Sequence, residues 1–121
     1  MFTWLRNRRK PKTFHDIVQI NYQTLEFYTQ AIQHAHGKDH PEVFDVRKIF
    51  KRIMEKVNEA EEVIPNLDAE LSDLREVTKD YAVPKKVCGI YASTYDMLSK
   101  IDQAYEAENK KGERHHEKSS H

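Results

Sequence analysis

The residues of this chain with the widest chemical reach are histidines and carboxylates, and the first question is which of them share a level of the fold. The stretch "FHDIVQINYQTLEFYTQAIQHAHG" carries His15 near its front and His34 and His36 near its back. As one α-helix, the 21 steps from His15 to His36 rise about 31 Å. A metal–nitrogen bond is only about 2 Å, as at zinc. The two histidines therefore belong to opposite ends of the helix. His34, His36 and His40 gather at its far end beside Asp39 and Glu42. Two roles are open to that cluster: holding a metal, or capping and turning the chain. Cys88 is the single cysteine and has no histidine near it in sequence. At a helix start it reads either as an activated thiol or as a small buried apolar residue. No glycine-rich phosphate loop, CxxC or HExxH occurs, so nothing points to an enzyme with a nucleophile and base.

The elements that must position these groups are helices. Pro11, Pro41, Pro65 and Pro84 divide the chain into intervals, each with apolar residues three and four apart. Thr13 is an expected N-cap for the first helix, Asp16 favours its dipole, and Gly37 is the expected residue just past its end. Its seam is expected at His15, Val18, Tyr22, Leu25, Thr29, Ile32 and His36. Asp39 or His40 is expected to cap the second helix, whose seam runs through Val43, Val46, Phe50, Ile53, Val57, Ala60 and Ile64. Asn66 is expected to cap the third, with Leu67, Leu71, Leu74, Thr78 and Tyr81 inward. The fourth is expected from about Pro84 to Glu108, with Val87, Tyr91, Thr94, Leu98, Ile101 and Tyr105 inward. Four such helices with short loops make an all-α, up-down-up-down four-helix bundle. The expected organisation is a basic arm over 1–12, the bundle over 13–108 and a polar tail over 109–121. In that arrangement His15 shares its end with Glu59, Glu61, Glu62, Asp68, Asp102 and Glu106, while His36 stands at the other.

Composition narrows the partners. Charged residues make up 33% and hydrophobic residues 38%, with 20 basic side chains balancing 20 acidic ones. Overall charge thus suggests neither nucleic acid nor an acidic membrane. One cysteine suits a reducing, cytoplasmic setting. No apolar run approaches the ~20 residues that span a bilayer. The start, "MFTWLRNRRKPKT", carries five basic residues with no apolar stretch behind them, unlike a secretory signal. It reads as a disordered basic tail, or as an arm whose Phe2 and Trp4 touch a membrane surface or an acidic partner.

Two blocks resemble a known family. "FHD" followed by "AHGKDHPEVFDVRKIF", and then "REVTKDYAVPKKVCGIYASTYDML", are similar to the hemerythrin-like domain of the Ric proteins, the di-iron proteins for repair of iron centres. The resemblance implies a hemerythrin-like bundle, iron as the bound metal, and iron–sulfur proteins damaged by nitric oxide or oxidants as partners. The family's first-helix ligand falls on His15 and its second-helix glutamate on Glu61. The second-helix histidine position falls on Val57. No histidine stands just before "NLDAELSDL", where the family's third-helix ligand belongs, and "AENKKGER" stands where its last pair belongs. Two expectations follow: a short Ric-like protein binding iron at the His15/Glu61 end, or a metal-free bundle that binds a protein partner.

Overall fold

The computed structural model describes the backbone of residues 13–120 and the side chains of 13–110. The expected arm over 1–12, and the side chains of the expected tail beyond 110, lie outside the described residues. Four helices follow one another: α1 (Phe14–His36), α2 (Glu42–Ala60), α3 (Asp68–Thr78) and α4 (Gly89–Ser120). No strand occurs among the described residues, and none of their helices is long and apolar enough to cross a membrane.

Side-chain pairs fix the order and direction of the four. Arg47 of α2 reaches back to α1, donating to Thr29 Oγ1 at 2.8 Å and to Glu26 Oε1 at 3.0 Å. Lys56 and Arg52 of α2 meet Glu70 and Asp73 of α3 at 2.8 and 3.7 Å. On α4, Asp102 meets Arg75 and Tyr105 meets Asp68. Phe14 packs on Tyr105, while His36 packs on Tyr91. In each pair of neighbours the register runs in opposite directions, so consecutive helices are antiparallel and α4 closes against α1. This is a four-helix bundle in up-down-up-down order.

The core is the product of the apolar spacing. Val18, Leu25 and Ile32 from α1 meet Val43, Val46, Phe50, Ile53 and Val57 from α2. Leu67, Leu71 and Leu74, with Tyr91, Tyr95, Leu98, Ile101 and Tyr105, complete the cluster. Each fully buried aliphatic or aromatic side chain contributes about 1.5–3 kcal/mol. Thr29 sits on this seam with no exposure, and its hydroxyl is satisfied by donating to Leu25 O at 2.7 Å while accepting from Arg47.

The helix ends agree with the sequence in part. Thr13 caps α1 in a full capping box: its side chain accepts from Asp16 N–H, and the Asp16 carboxylate accepts from Thr13 N–H. Gly37 follows α1 but is right-handed (φ −58°). The demand on it is space, because an added Cβ would come within 2.6 Å of the Phe44 ring. Neither Asp39 nor His40 caps α2. Pro41 takes that place, and backbone bonds from His40 N–H to His36 O (2.7 Å) and from Phe44 N–H to Pro41 O (3.1 Å) carry the turn. At α3 the N-cap is Leu67, with Asn66 Oδ1 accepting from Asp68 N–H at 3.0 Å. α2 ends before Ile64, because Glu61 turns to positive φ (56°), but Ile64 still packs against the core. α4 begins at Gly89, later than expected, and continues past residue 108.

Candidate functional sites at the two ends of the bundle

His15 and Glu61 are both placed at the end of the bundle where α1 begins and α2 stops. His15 is in the first turn of α1 and half-buried. The seam position is taken by its neighbour Phe14, which is fully buried, so His15 stands beside the core instead of in it. Its ring is edge-on to Phe14 at 5.7 Å. Its Nε2 is buried and has no hydrogen-bond partner among the described residues. An unmatched buried nitrogen of this kind costs about 1–3 kcal/mol, which a ligand for that atom would recover. Glu61 is exposed, one residue past α2, and its carboxylate makes no hydrogen bond or ion pair among the described residues.

Three of the acids expected as companions of His15, Asp68, Asp102 and Glu106, have other partners. Arg75 forms a fork on Asp102, Nε to Oδ2 at 2.8 Å and Nη2 to Oδ1 at 2.6 Å. The same guanidinium holds Glu106 at 2.8 Å. Tyr81 donates to Asp102 Oδ2 at 2.6 Å. Asp102 is 5% exposed, so the arginine is what makes its burial tolerable. Asp102, with Glu106 behind it, raises the Arg75 pKa further above its already high value. Burial, then the bond to Asp102, push the Tyr81 phenol well above its ordinary value. Asp68 accepts from Tyr105 Oη at 2.8 Å, and the same oxygen accepts Leu67 N–H at 2.9 Å, closing the start of α3 onto α4. These bonds knit α3 to α4 with long polar side chains. Sequence reasoning placed the acids at the correct end but missed Arg75, whose position beside Leu74 gave no sign of its direction.

Iron is the metal implied by the resemblance, and the donor set can be tested against it. His15 Nε2 is a buried imidazole nitrogen without a partner among the described residues, a suitable donor. Val57, at the family's second-helix histidine position, is 7% exposed within the apolar core. Among the described residues no three His, Cys, Asp or Glu side chains are grouped to hold an ion. Among the described residues, this end thus offers the His15 nitrogen and the exposed carboxylates of Glu59, Glu61 and Glu62, and no preassembled cage.

The opposite end holds a second constellation that the sequence dispersed over 60 positions. Cys88 is exposed, contrary to the buried reading, and its Sγ lies 3.2 Å from His36 Nε2. The loop before α4 folds back over the end of α1 to make this contact, so sequence distance gave no hint of it. His40 Nδ1 lies 3.3 Å from Glu42 Oε2, and Tyr91 Oη donates to the same oxygen at 3.3 Å. Tyr91 is fully buried, with His36 and His40 edge-on to its ring at 5.3 and 5.7 Å. Burial, followed by the Tyr95 hydroxyl, raises the Tyr91 phenol above its ordinary value, so it remains a neutral donor to Glu42. His34 is exposed, and lines an open groove with Phe27 and Phe44.

Compared with known families, curated proteins and solved structures, the chain finds no match.

Proposed function

We propose that this chain is a short, hemerythrin-like bundle of the Ric kind that takes up iron at the His15/Glu61 end and serves the repair of iron–sulfur clusters under nitrosative or oxidative stress in the cytoplasm. The observation that carries this reading is the buried Nε2 of His15, without a partner among the described residues, on the residue that the resemblance assigns to the first-helix ligand. Glu61, exposed and free of partners among the described residues, supplies a hard oxygen donor at the same end. Iron here is cargo. A site with few protein donors holds it loosely, and loose binding suits delivery to a damaged cluster on an iron–sulfur protein. In this reading the Arg75–Asp102 network is structural and keeps its carboxylates away from the metal.

The test is an anaerobic ferrous titration with the melting temperature as readout. A ligand that binds only the folded state stabilises it by about 2.7 kcal/mol at a hundredfold excess over Kd. Iron raises the melting temperature of the parent chain, and His15→Ala removes the rise.

A second reading, a metal-free scaffold for a protein partner, is favoured by one observation. Phe27 and Phe44 are 65% and 50% exposed and flank the same groove between α1 and α2. On that reading iron leaves the melting temperature unchanged, and replacing both phenylalanines with serine abolishes partner binding while the fold persists.

A further inference from the structure

We propose that the outward face of α1 is the interface of an antiparallel dimer of this chain, centred on Phe27. The first support is charge. From Phe44 to Glu59, α2 exposes eight side chains, and all but Phe44 and Asn58 are charged. From Gln19 to Ala35, α1 also exposes eight, and none of them is Asp, Glu, Lys or Arg. That face is built of three glutamines, a threonine, an alanine, His34, and the large apolar Ile20 and Phe27. The one acid within the stretch, Glu26, is tied to Arg47 and Lys51 of α2 at 3.0 and 3.7 Å. A helix face open to water is ordinarily charged or polar, whereas the centre of an interface is poor in charge and rich in aromatic residues.

The second support is spacing. Ile20, Thr24, Phe27, Ala31 and His34 recur at steps of four and three, as in a coiled-coil seam. The seam that α1 gives to its own core runs through Val18, Leu25, Thr29 and Ile32. The outward seam is displaced from it by two positions, about 200° around the helix, and so faces away from the bundle. Its large members stand in solvent: Ile20 is 58% exposed and Phe27 65%.

The third support decides the occupant. A twofold axis sets one surface against its own copy, so a face bearing like charges resists it. Glutamine amides donate and accept at once and pair with their own kind. A charged partner would find nothing on this face to pair with. The 20 basic and 20 acidic side chains also leave no net repulsion between copies.

Direction follows from the groove between α1 and α2, lined by Phe27, Ala31, His34 and Phe44 among others. Ile20 and His34 lie seven residues to either side of Phe27, about 10.5 Å along the helix. With Phe27 beside the partner's Phe27, an antiparallel pair sets the partner's Ile20 level with His34, in the groove beside Phe44. Ile20 enters the partner's groove in the same way. A parallel pair would stack like on like and leave both grooves without an apolar side chain. The face is about 24 Å long and one helix wide, less than the ~800 Å² that each side of a standard interface buries, so the dimer is weak and reversible. The proposal rests on the groove of the second reading above and gives it an occupant, while iron uptake at His15 is independent of it.

The test is sedimentation of the full, reduced chain from about 10 μM to about 1 mM, the range in which a small interface responds. The expected result is a reversible rise from monomer to dimer mass, unchanged in His15→Ala. Phe27→Lys sets two like charges at the axis and weakens association at least about tenfold, in a chain whose circular dichroism shows it folded. Ser72→Lys puts the same charge on an exposed position of α3 and leaves association unchanged. Oxidative cross-linking in a Cys88→Ser background reads the direction. Thr24→Cys and Ala31→Cys chains cross-link when mixed, because position 24 faces the partner's position 31, and each cross-links far less alone. A folded chain that stays monomeric at the highest concentration would overturn the proposal, as would Phe27→Lys associating as tightly as the parent. Cross-linking of Thr24→Cys alone as efficiently as the mixture would overturn the antiparallel arrangement. The second reading is judged separately, by the iron titration.

Discussion

The two ends of this bundle solve the same problem in different ways. At both, polar side chains from several helices converge beside the core. Where α3 meets α4, Asp102 is buried and saturated by a forked arginine and a tyrosine. Where α1 meets the start of α4, contacts at 3.2–3.3 Å join His36 to Cys88, and Glu42 to His40 and Tyr91, and Cys88 is exposed. The first arrangement closes a seam and has little left to offer a ligand. The second keeps ring nitrogens and a thiol within reach of solvent. Donor count alone does not make a site, because a carboxylate already held by a cation is spent.

The sharpest way to break this contrast is to remove the arginine. Arg75→Met strands the buried Asp102 carboxylate. Breaking a fully buried pair costs about 3–5 kcal/mol, and the exposure of about a third of the Arg75 side chain lowers the expected loss to about 2–3 kcal/mol in urea denaturation. The parallel change at the other end, His36→Ala without metal, should stay within about 0.5 kcal/mol. Equal losses would erase the distinction between the saturated Arg75–Asp102 network and the accessible His36–Cys88 contact.

Tyr105→Phe comes next. It removes the oxygen that accepts Leu67 N–H, a buried group, and should cost about 1–2 kcal/mol. Thr13→Ala opens the capping box of α1 and should cost about 1 kcal/mol.

The smallest effect is a pH-dependent one. Burial opposes ionisation of Glu70, but Lys56 at 2.8 Å outweighs it and holds the carboxyl below its ordinary value. A lowered folded pKa adds stability above the unfolded value, and that stability is lost as pH falls through the folded one. Glu70→Gln should therefore cost a few tenths of a kcal/mol at neutral pH, since Lys56 is 44% exposed and screened. The penalty should vanish below the ordinary carboxylate range. A penalty that grew on acidification would contradict this assignment.

Much of the fold was legible because it rests on periodicity. Val43, Val46, Phe50, Ile53 and Val57 were placed inward by spacing alone, as were Leu71, Leu74, Leu98 and Ile101, and all are buried. Thr13 was legible as a cap because its partner Asp16 is local. The misplacements arose where tertiary contacts decided the outcome. His15 was expected on the seam, but Phe14 carries more apolar surface and displaced it by one position. The pairing of Cys88 with His36 depends on how residues 79–88 fold back between α3 and α4, and Lys79, Asp80, Tyr81 and Lys86 there all adopt positive φ. No apolar spacing encodes that path, so the chemistry at that end was hidden although its residues were in view.

The central claim is that His15 is a metal ligand and not merely a boundary residue. Its most direct test is the melting temperature of the parent chain and of His15→Ala, each with and without ferrous iron under anaerobic conditions. The account predicts an iron-dependent rise in the parent, about 4 °C for each kcal/mol of binding stabilisation, and none in His15→Ala. An unchanged melting temperature in the parent, or an equal rise in both proteins, would contradict it.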